Sequence, residues 1–115
     1  METTGILLNY LKSNGVIDKI NSAKKEVTSS DLKLRESSDL FVRDAITGLG
    51  TILKEDLDEH FYITSLTIGT IGKVQTYAII HRKGEEATVS IYAHEGLLNR
   101  HLAEKALEKI RRLIE

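Results

Sequence analysis

Chemistry at neutral pH begins with histidine, the side chain whose charge changes nearest physiological pH, and this chain of 115 residues has four of them. His81 stands beside Arg82 and Lys83, a small basic cluster that could hold a phosphate, although such a run is more often an exposed strand end. His94 is followed by Glu95, and His101 comes seven residues after His94, so a two-histidine metal site is conceivable there; no further ligand stands at a recognisable spacing, and no metal site is expected. There is no cysteine, which excludes a thiolate nucleophile, a disulfide framework and Cys-based zinc or iron-sulfur sites. No H-E-x-x-H, G-x-x-x-x-G-K-[ST] or G-x-G-x-x-G motif occurs, and Gly69-Thr70-Ile71-Gly72-Lys73 is too short for a phosphate-cradling loop. The expectation is a chain without catalytic activity and without a cofactor.

Charge and composition narrow the partners. Sixteen Lys plus Arg against 17 Asp plus Glu give a formal charge of -1, so no global basic field attracts nucleic acid. Aromatic residues make up 5% and do not alternate with basic ones, which argues against a single-strand stacking platform. The apolar stretch Ile6 to Leu8 is far too short for a signal peptide's apolar region or a membrane span. A cytoplasmic chain with no membrane insertion is expected. Its length fits a single domain over residues 1–115, and 41% hydrophobic residues suffice for a core.

The elements that would position these groups are clearest in the second half. Ala87, Val89, Ile91 and Ala93 alternate with Thr88, Ser90 and Tyr92, the period of a half-buried strand. Val74 to Arg82 is a second β-rich run, joined to the first by Lys83-Gly84-Glu85-Glu86, and Phe61 to Ile71 is a third, joined through Gly72-Lys73. These three form a meander. From about Leu97, Leu98, Leu102, Ala106, Ile110 and Leu113 recur at helical spacing beside Ala103, Leu107 and Ile114, opposite a charged and solvated face.

The middle segment opens at Ser37-Ser38-Asp39, whose oxygens can cap a helix, and its pattern predicts a helix running to about Lys54. Val42, Ile46, Leu49 and Leu53 share one stripe, and Phe41, Ala45, Gly48 and Ile52 share a second beside it. A helix lying on one sheet needs an apolar stripe of only about 100°. The second stripe, with its small residues, therefore suits a partner helix from another copy; burial within the same protomer is the alternative. The acidic run Glu55-Asp56-Asp58-Glu59 belongs to the loop that follows.

The first third holds a short helix from Thr3 to Ser13, which Asn14-Gly15 can terminate. Beyond it, Val16, Ile20, Ala23 and Val27 fall at helical spacing, while Val16 to Ser22 and Glu26 to Ser30 also read as two weak strands around Ala23-Lys24-Lys25. Asp31 to Glu36 reads as a polar connection.

The two-faced helix at Ser38, the strands Phe61 to Ile71, Val74 to Ile80 and Ala87 to Ala93, then Glu95-Gly96-Leu97-Leu98 and a last helix form an order that resembles the roadblock family, named for the dynein light chain. The resemblance implies an α+β sandwich of order α-β-β-α-β-β-β-α with an antiparallel sheet, an architecture like that of profilin and longin domains. It implies that residues 16–30 form the hairpin. It further implies dimers, with the same chain or a related roadblock subunit, in which the long helices pair and the first meander strands join edge to edge. By that analogy Phe41, Ala45, Gly48 and Ile52, with Tyr62, Thr64, Leu66 and Ile68, are interface residues. The implied function is a non-catalytic adaptor or regulator of a small Ras-like GTPase. A small-molecule or metal-binding sensor and a scaffold indifferent to nucleotide state are the alternatives.

Overall fold

A computed structural model describes residues 2–68, 74–94 and 101–115, with side chains left undescribed at positions 68 and 74. Helix α1, Thr3–Ser13, buries Leu7, Leu8 and Leu11 and ends at Asn14-Gly15, where Gly15 takes the positive φ that suits glycine. Ile20–Ala23 forms a single turn, α2, continued by a 3-10 turn at Lys24–Glu26. Strand β1 is Val27–Lys33, and helix α3 is Asp39–Thr47. The remaining strands are β2, Thr51–Asp56; β3, Phe61–Ile68; β4, Val74–Lys83; and β5, Glu86–Tyr92. Helix α4, Leu102–Ile114, closes the described chain.

All strand pairings are antiparallel, in the order β1-β5-β4-β3-β2. Both faces are covered. On one, Leu32, Tyr62, Leu66, Ala78, Ile80, Val89 and Ile91 pack with Val42 and Ile46 of α3 and with the inward residues of α4. On the other, Phe61, Ile63, Ile79 and Tyr92 pack against α1 and Ile17. Alternation along β3 and β4 sends successive side chains into opposite cores, so both strands are apolar on both sides. The α+β class and the antiparallel sheet between helices are as the sequence predicts. No helix among the described residues is long and apolar enough to cross a membrane.

Three sequence expectations need correction at the level of elements. The hairpin at residues 16–30 is absent: Val16 to Ser22 holds the loop and the start of α2, and a single strand, β1, follows. It takes in Asp31, Leu32 and Lys33, read above as part of a connection. Its polar residues are stabilised by cross-strand partners, the Ser29 and Ser90 hydroxyls lying 3.0 Å apart and Thr88 donating to Asp31 at 2.7 Å.

The middle helix stops at Thr47. Leu49 and Gly50 both donate to the Ile46 carbonyl, and the chain then turns into β2. A Cβ at Gly50 would lie 2.1 Å from the Ser65 carbonyl oxygen, so the two backbones approach as closely as glycine allows. Ile46, Leu49 and Leu53 show helical spacing across a helix, a turn and a strand. The two-stripe helix therefore does not exist as one surface.

The third correction concerns the sheet edge. The expected edge, Tyr62 to Ile68, is covered over Tyr62 to Ser65, where β2 pairs along the outer side of β3 from Thr51 with Ser65 to Asp56 with Phe61; Leu66 to Ile68 lie beyond the last of these pairs. The edge lies one strand further out. Glu55 and Asp56 consequently end a strand, while Asp58 and Glu59 stay in the turn, where both amides donate to Asp56 Oδ1. The expected strand end at 69–71, the Gly72-Lys73 turn and the helix start at 97–100 lie outside the described residues.

Candidate functional site

Ser38 caps α3 by accepting the Phe41 amide proton at 3.1 Å, and this fixes Asp39 in the first helical turn, where a carboxylate is favoured by the helix dipole. Facing it from β4 is Arg82, whose Nε donates to Asp39 Oδ1 at 2.9 Å and whose Nη1 donates to the Gly84 carbonyl at 3.2 Å. His60 completes the cluster from the β2–β3 turn. Its Nδ1 is 2.8 Å from Asp39 Oδ2, and its backbone sits in the left-handed region while its carbonyl accepts the Arg82 amide proton. The carboxylate requires a proton on Nδ1, so the nearby Nη2 of Arg82, at 3.3 Å, cannot donate to that nitrogen at the same time.

The cluster shifts its members. The Arg82 guanidinium, ahead of the His60 hydrogen bond, outweighs desolvation and holds the Asp39 carboxyl below its ordinary value; Asp39 in turn raises Arg82. Tyr62 lies beneath, donating to the Asp39 carbonyl at 3.3 Å, and burial followed by the charges of Asp39 and Glu55 pushes its hydroxyl up to about 12. It remains a protonated donor at neutral pH. Both carboxylate oxygens of Asp39 are engaged, so the ensemble acts as a lock tying α3 to β4 and to the turn before β3.

A shallow groove opens above this lock, between α3 and the outer strand. Asp39, Leu40 and Arg43 line one side, Glu55 and Leu57 the other, and Tyr62 the floor. Arg43 Nε reaches Glu55 Oε1 at 3.1 Å across it. Leu40 is 66% exposed and Leu57 58%, and Leu53 on β2 is also exposed, so three leucines flank the open strand.

The structure disperses the residues taken above as an interface. Phe41 and Ala45 are half-buried on α3 and, like Ile52 on β2, pack against the protomer's own core. Gly48 is the exposed C-cap of α3. Tyr62, Thr64 and Leu66 are buried in the sheet, and Ile68 pairs with Val74 in a register whose side chains are undescribed. Leu40, Leu57 and Leu53 took no such part in the sequence reading. The signal for Leu40 was present: it is apolar yet falls on neither stripe of the helix.

The histidines are likewise separated. Strand alternation divides the His81-Arg82-Lys83 cluster, sending Arg82 to Asp39 and His81 to the opposite face, where its Nδ1 is 3.0 Å from the Thr3 hydroxyl. Burial, then Lys83, lowers the His81 imidazole below its ordinary value. His94 Nδ1 pairs with Glu26 at 3.1 Å and His101 Nδ1 with Glu104 at 3.2 Å. Among the described residues no three His, Cys, Asp or Glu side chains are grouped to hold a metal ion.

No family model matches the chain, and the roadblock resemblance gains no support from one. No curated protein matches it either. Among solved structures it is similar to a TBP-like protein from Parabacteroides distasonis, with 14% identity and a TM-score of 0.40 over 64% of this chain and 60% of that one, too slight a likeness to carry an argument about function.

Proposed function

We propose that the chain is a non-catalytic, cytoplasmic adaptor that pairs through β2 with a second copy or with a related roadblock-type subunit, and in that form regulates a small Ras-like GTPase. The observation that carries the reading is the position of β2 as the outermost strand, with exposed Leu53, Leu57 and Leu40 beside it. An outer strand is a template for another strand, and apolar side chains next to it supply the area that makes pairing favourable, at roughly 25 cal/mol per Å² buried. The bulge between Ile52 and Lys54 and the charges of Lys54, Glu55 and Asp56 restrict which strand can join, since like charges directly opposite are destabilising. The choice of a GTPase rests on the roadblock resemblance alone.

Sedimentation of the wild type against Leu53→Lys, followed by capture of the host's small GTPases loaded with GTP or GDP, tests both parts. Expected are a wild-type dimer, a variant whose self-association is at least about tenfold weaker, ~1.4 kcal/mol, and capture in one nucleotide state. A monomeric wild type removes the pairing. Equal capture in both states replaces the regulator with a scaffold, and none in either state discards the GTPase.

A further inference from the structure

The strand β2 itself restricts which chain can join it and in what register. Where two identical copies build one continuous antiparallel sheet, the two-fold axis stands perpendicular to the sheet, so each residue keeps the same face in both copies. Residues directly opposite one another share a face. The axis must therefore pass between one residue and its own counterpart, and the residues on either side of it must match in face.

The faces of β2 are fixed by β3. Lys54 lies opposite Ile63 and Asp56 opposite Phe61, on the side covered by α1, whereas Glu55 lies opposite Tyr62 and Ile52 opposite Thr64, on the side of α3. The bulge at Leu53 breaks the alternation, since Ile52 and Lys54 are two positions apart yet on different faces. An axis at Leu53 would set Ile52 opposite Lys54, a mismatch of faces. An axis at Lys54 sets two lysines opposite one another and an axis at Asp56 two aspartates, both destabilising.

An axis at Glu55 keeps the whole regular run, residues 54–56, on its faces. Lys54 then lies opposite the partner's Asp56, and Asp56 opposite the partner's Lys54. Both groups are available. Lys54 Nζ lies 6.0 Å from the centre of the Phe61 ring, with no carboxylate at ion-pair distance among the described residues. Asp56 accepts the Asp58 and Glu59 amide protons on Oδ1, which leaves Oδ2 without a partner among the described residues. The two Glu55 side chains meet at the axis, but each is held by Arg43 of its own chain, Nε to Oε1 at 3.1 Å, so the centre is two ion pairs and not two bare acids. The same register brings Leu53 toward the partner's Leu57, both exposed in the single chain. Asp58 and Glu59 fall beyond the paired run, toward Ile52 and Thr51, which carry no charge.

We propose that the occupant of the β2 edge is a second copy of this chain, joined antiparallel about a two-fold axis at Glu55, with Lys54 and Asp56 forming reciprocal ion pairs. The proposal rests on the pairing through β2 argued above and gives that pairing its partner and its register.

The chain has no cysteine, so single substitutions report the register without background. Facing Cα atoms in an antiparallel pair are about 4.5–5.5 Å apart, within reach of a disulfide. Under mild oxidation Glu55→Cys should yield a covalent dimer, and an equal mixture of Lys54→Cys and Asp56→Cys should cross-link in preference to either alone. Lys54→Glu, which sets two acids opposite one another on each side of the axis, should weaken self-association at least about tenfold in sedimentation, with circular dichroism unchanged. Suppose the wild type is a dimer that Leu53→Lys disperses: absence of the Glu55→Cys cross-link, or self-cross-linking of Lys54→Cys as readily as of Glu55→Cys, then overturns the register and leaves pairing through β2 standing. A monomeric wild type, or a dimer that resists Leu53→Lys, overturns both.

Discussion

Asp39 stands where three elements meet, and its removal separates a charge effect from a packing effect. In Asp39→Asn the Arg82 side chain, only 17% exposed, keeps its charge and loses its counter-ion. Hydrogen bonds to charged groups contribute about 1.5–3 kcal/mol, so a loss of about 2 kcal/mol is expected in urea denaturation at neutral pH. The acid side gives a second measurement. The folded carboxyl lies below its ordinary value of 3.8, chiefly because of Arg82, so its contribution is complete above that value and disappears as pH falls through the lowered one. The stability gap between wild type and Asp39→Asn should therefore narrow below about pH 4 and stay constant above about pH 5. A gap unchanged in acid would show that the substitution acts through geometry and not through charge. No local pattern announces this lock: Asp39 and Arg82 are 43 positions apart, and a cap at Ser38 followed by an acid reads as ordinary helix initiation.

At the scale of elements, legibility followed the period of the pattern. Helices α1 and α4 and strand β5 keep one pattern along their length and were readable from it, whereas β3 and β4, apolar on both sides, were readable from their β-branched and aromatic residues. The α3–β2 junction defeated the same method, because residues Ile46, Leu49 and Leu53 keep a three-to-four spacing across a boundary. The warning was the pair of glycines in Gly48-Leu49-Gly50, of which Gly48 was read as a small residue on a helix face. Their roles differ in space. A Cβ at Gly48 would meet nothing closer than the Ala45 carbonyl oxygen at 3.6 Å, an ordinary contact, whereas at Gly50 it would collide with the Ser65 carbonyl oxygen and with Leu66 Cδ2. Thermal and urea denaturation should find Gly48→Ala neutral or slightly stabilising. Gly50→Ala should cost about 1–3 kcal/mol, the usual range for forced overpacking. Equal effects would mean that the chain does not turn against β3 where the structure puts it. Strand β1 was obscure for a different reason. Its polar residues face Ser90 and Thr88, so its stability comes from pairing and not from the apolar alternation that marks other strands.

At the scale of the whole molecule, the sheet formed by the described residues ends in two edges of unlike character, and this difference decides how two copies could meet. Strand β1 buries only Leu32 fully and presents Ser29, Asp31 and Lys33, a polar margin ill-suited to closing against a copy of itself. The β2 margin carries leucine. Pairing there would extend the sheet sideways, and a flat extension differs in shape from two protomers stacked through their helices. One protomer has a Cα radius of gyration of 13.1 Å and extents of 37 × 29 × 20 Å. Doubling the mass at constant compactness raises that radius only to about 17 Å, by the scaling of globular chains. Small-angle scattering should thus give twice 12.9 kDa with a radius clearly above about 17 Å for the wild type. Leu53→Lys should return a single mass and a radius near that of one protomer. A compact dimer that resists Leu53→Lys would place the contact on α3 or α4 instead and leave β2 as a margin guarded by its bulge and charges.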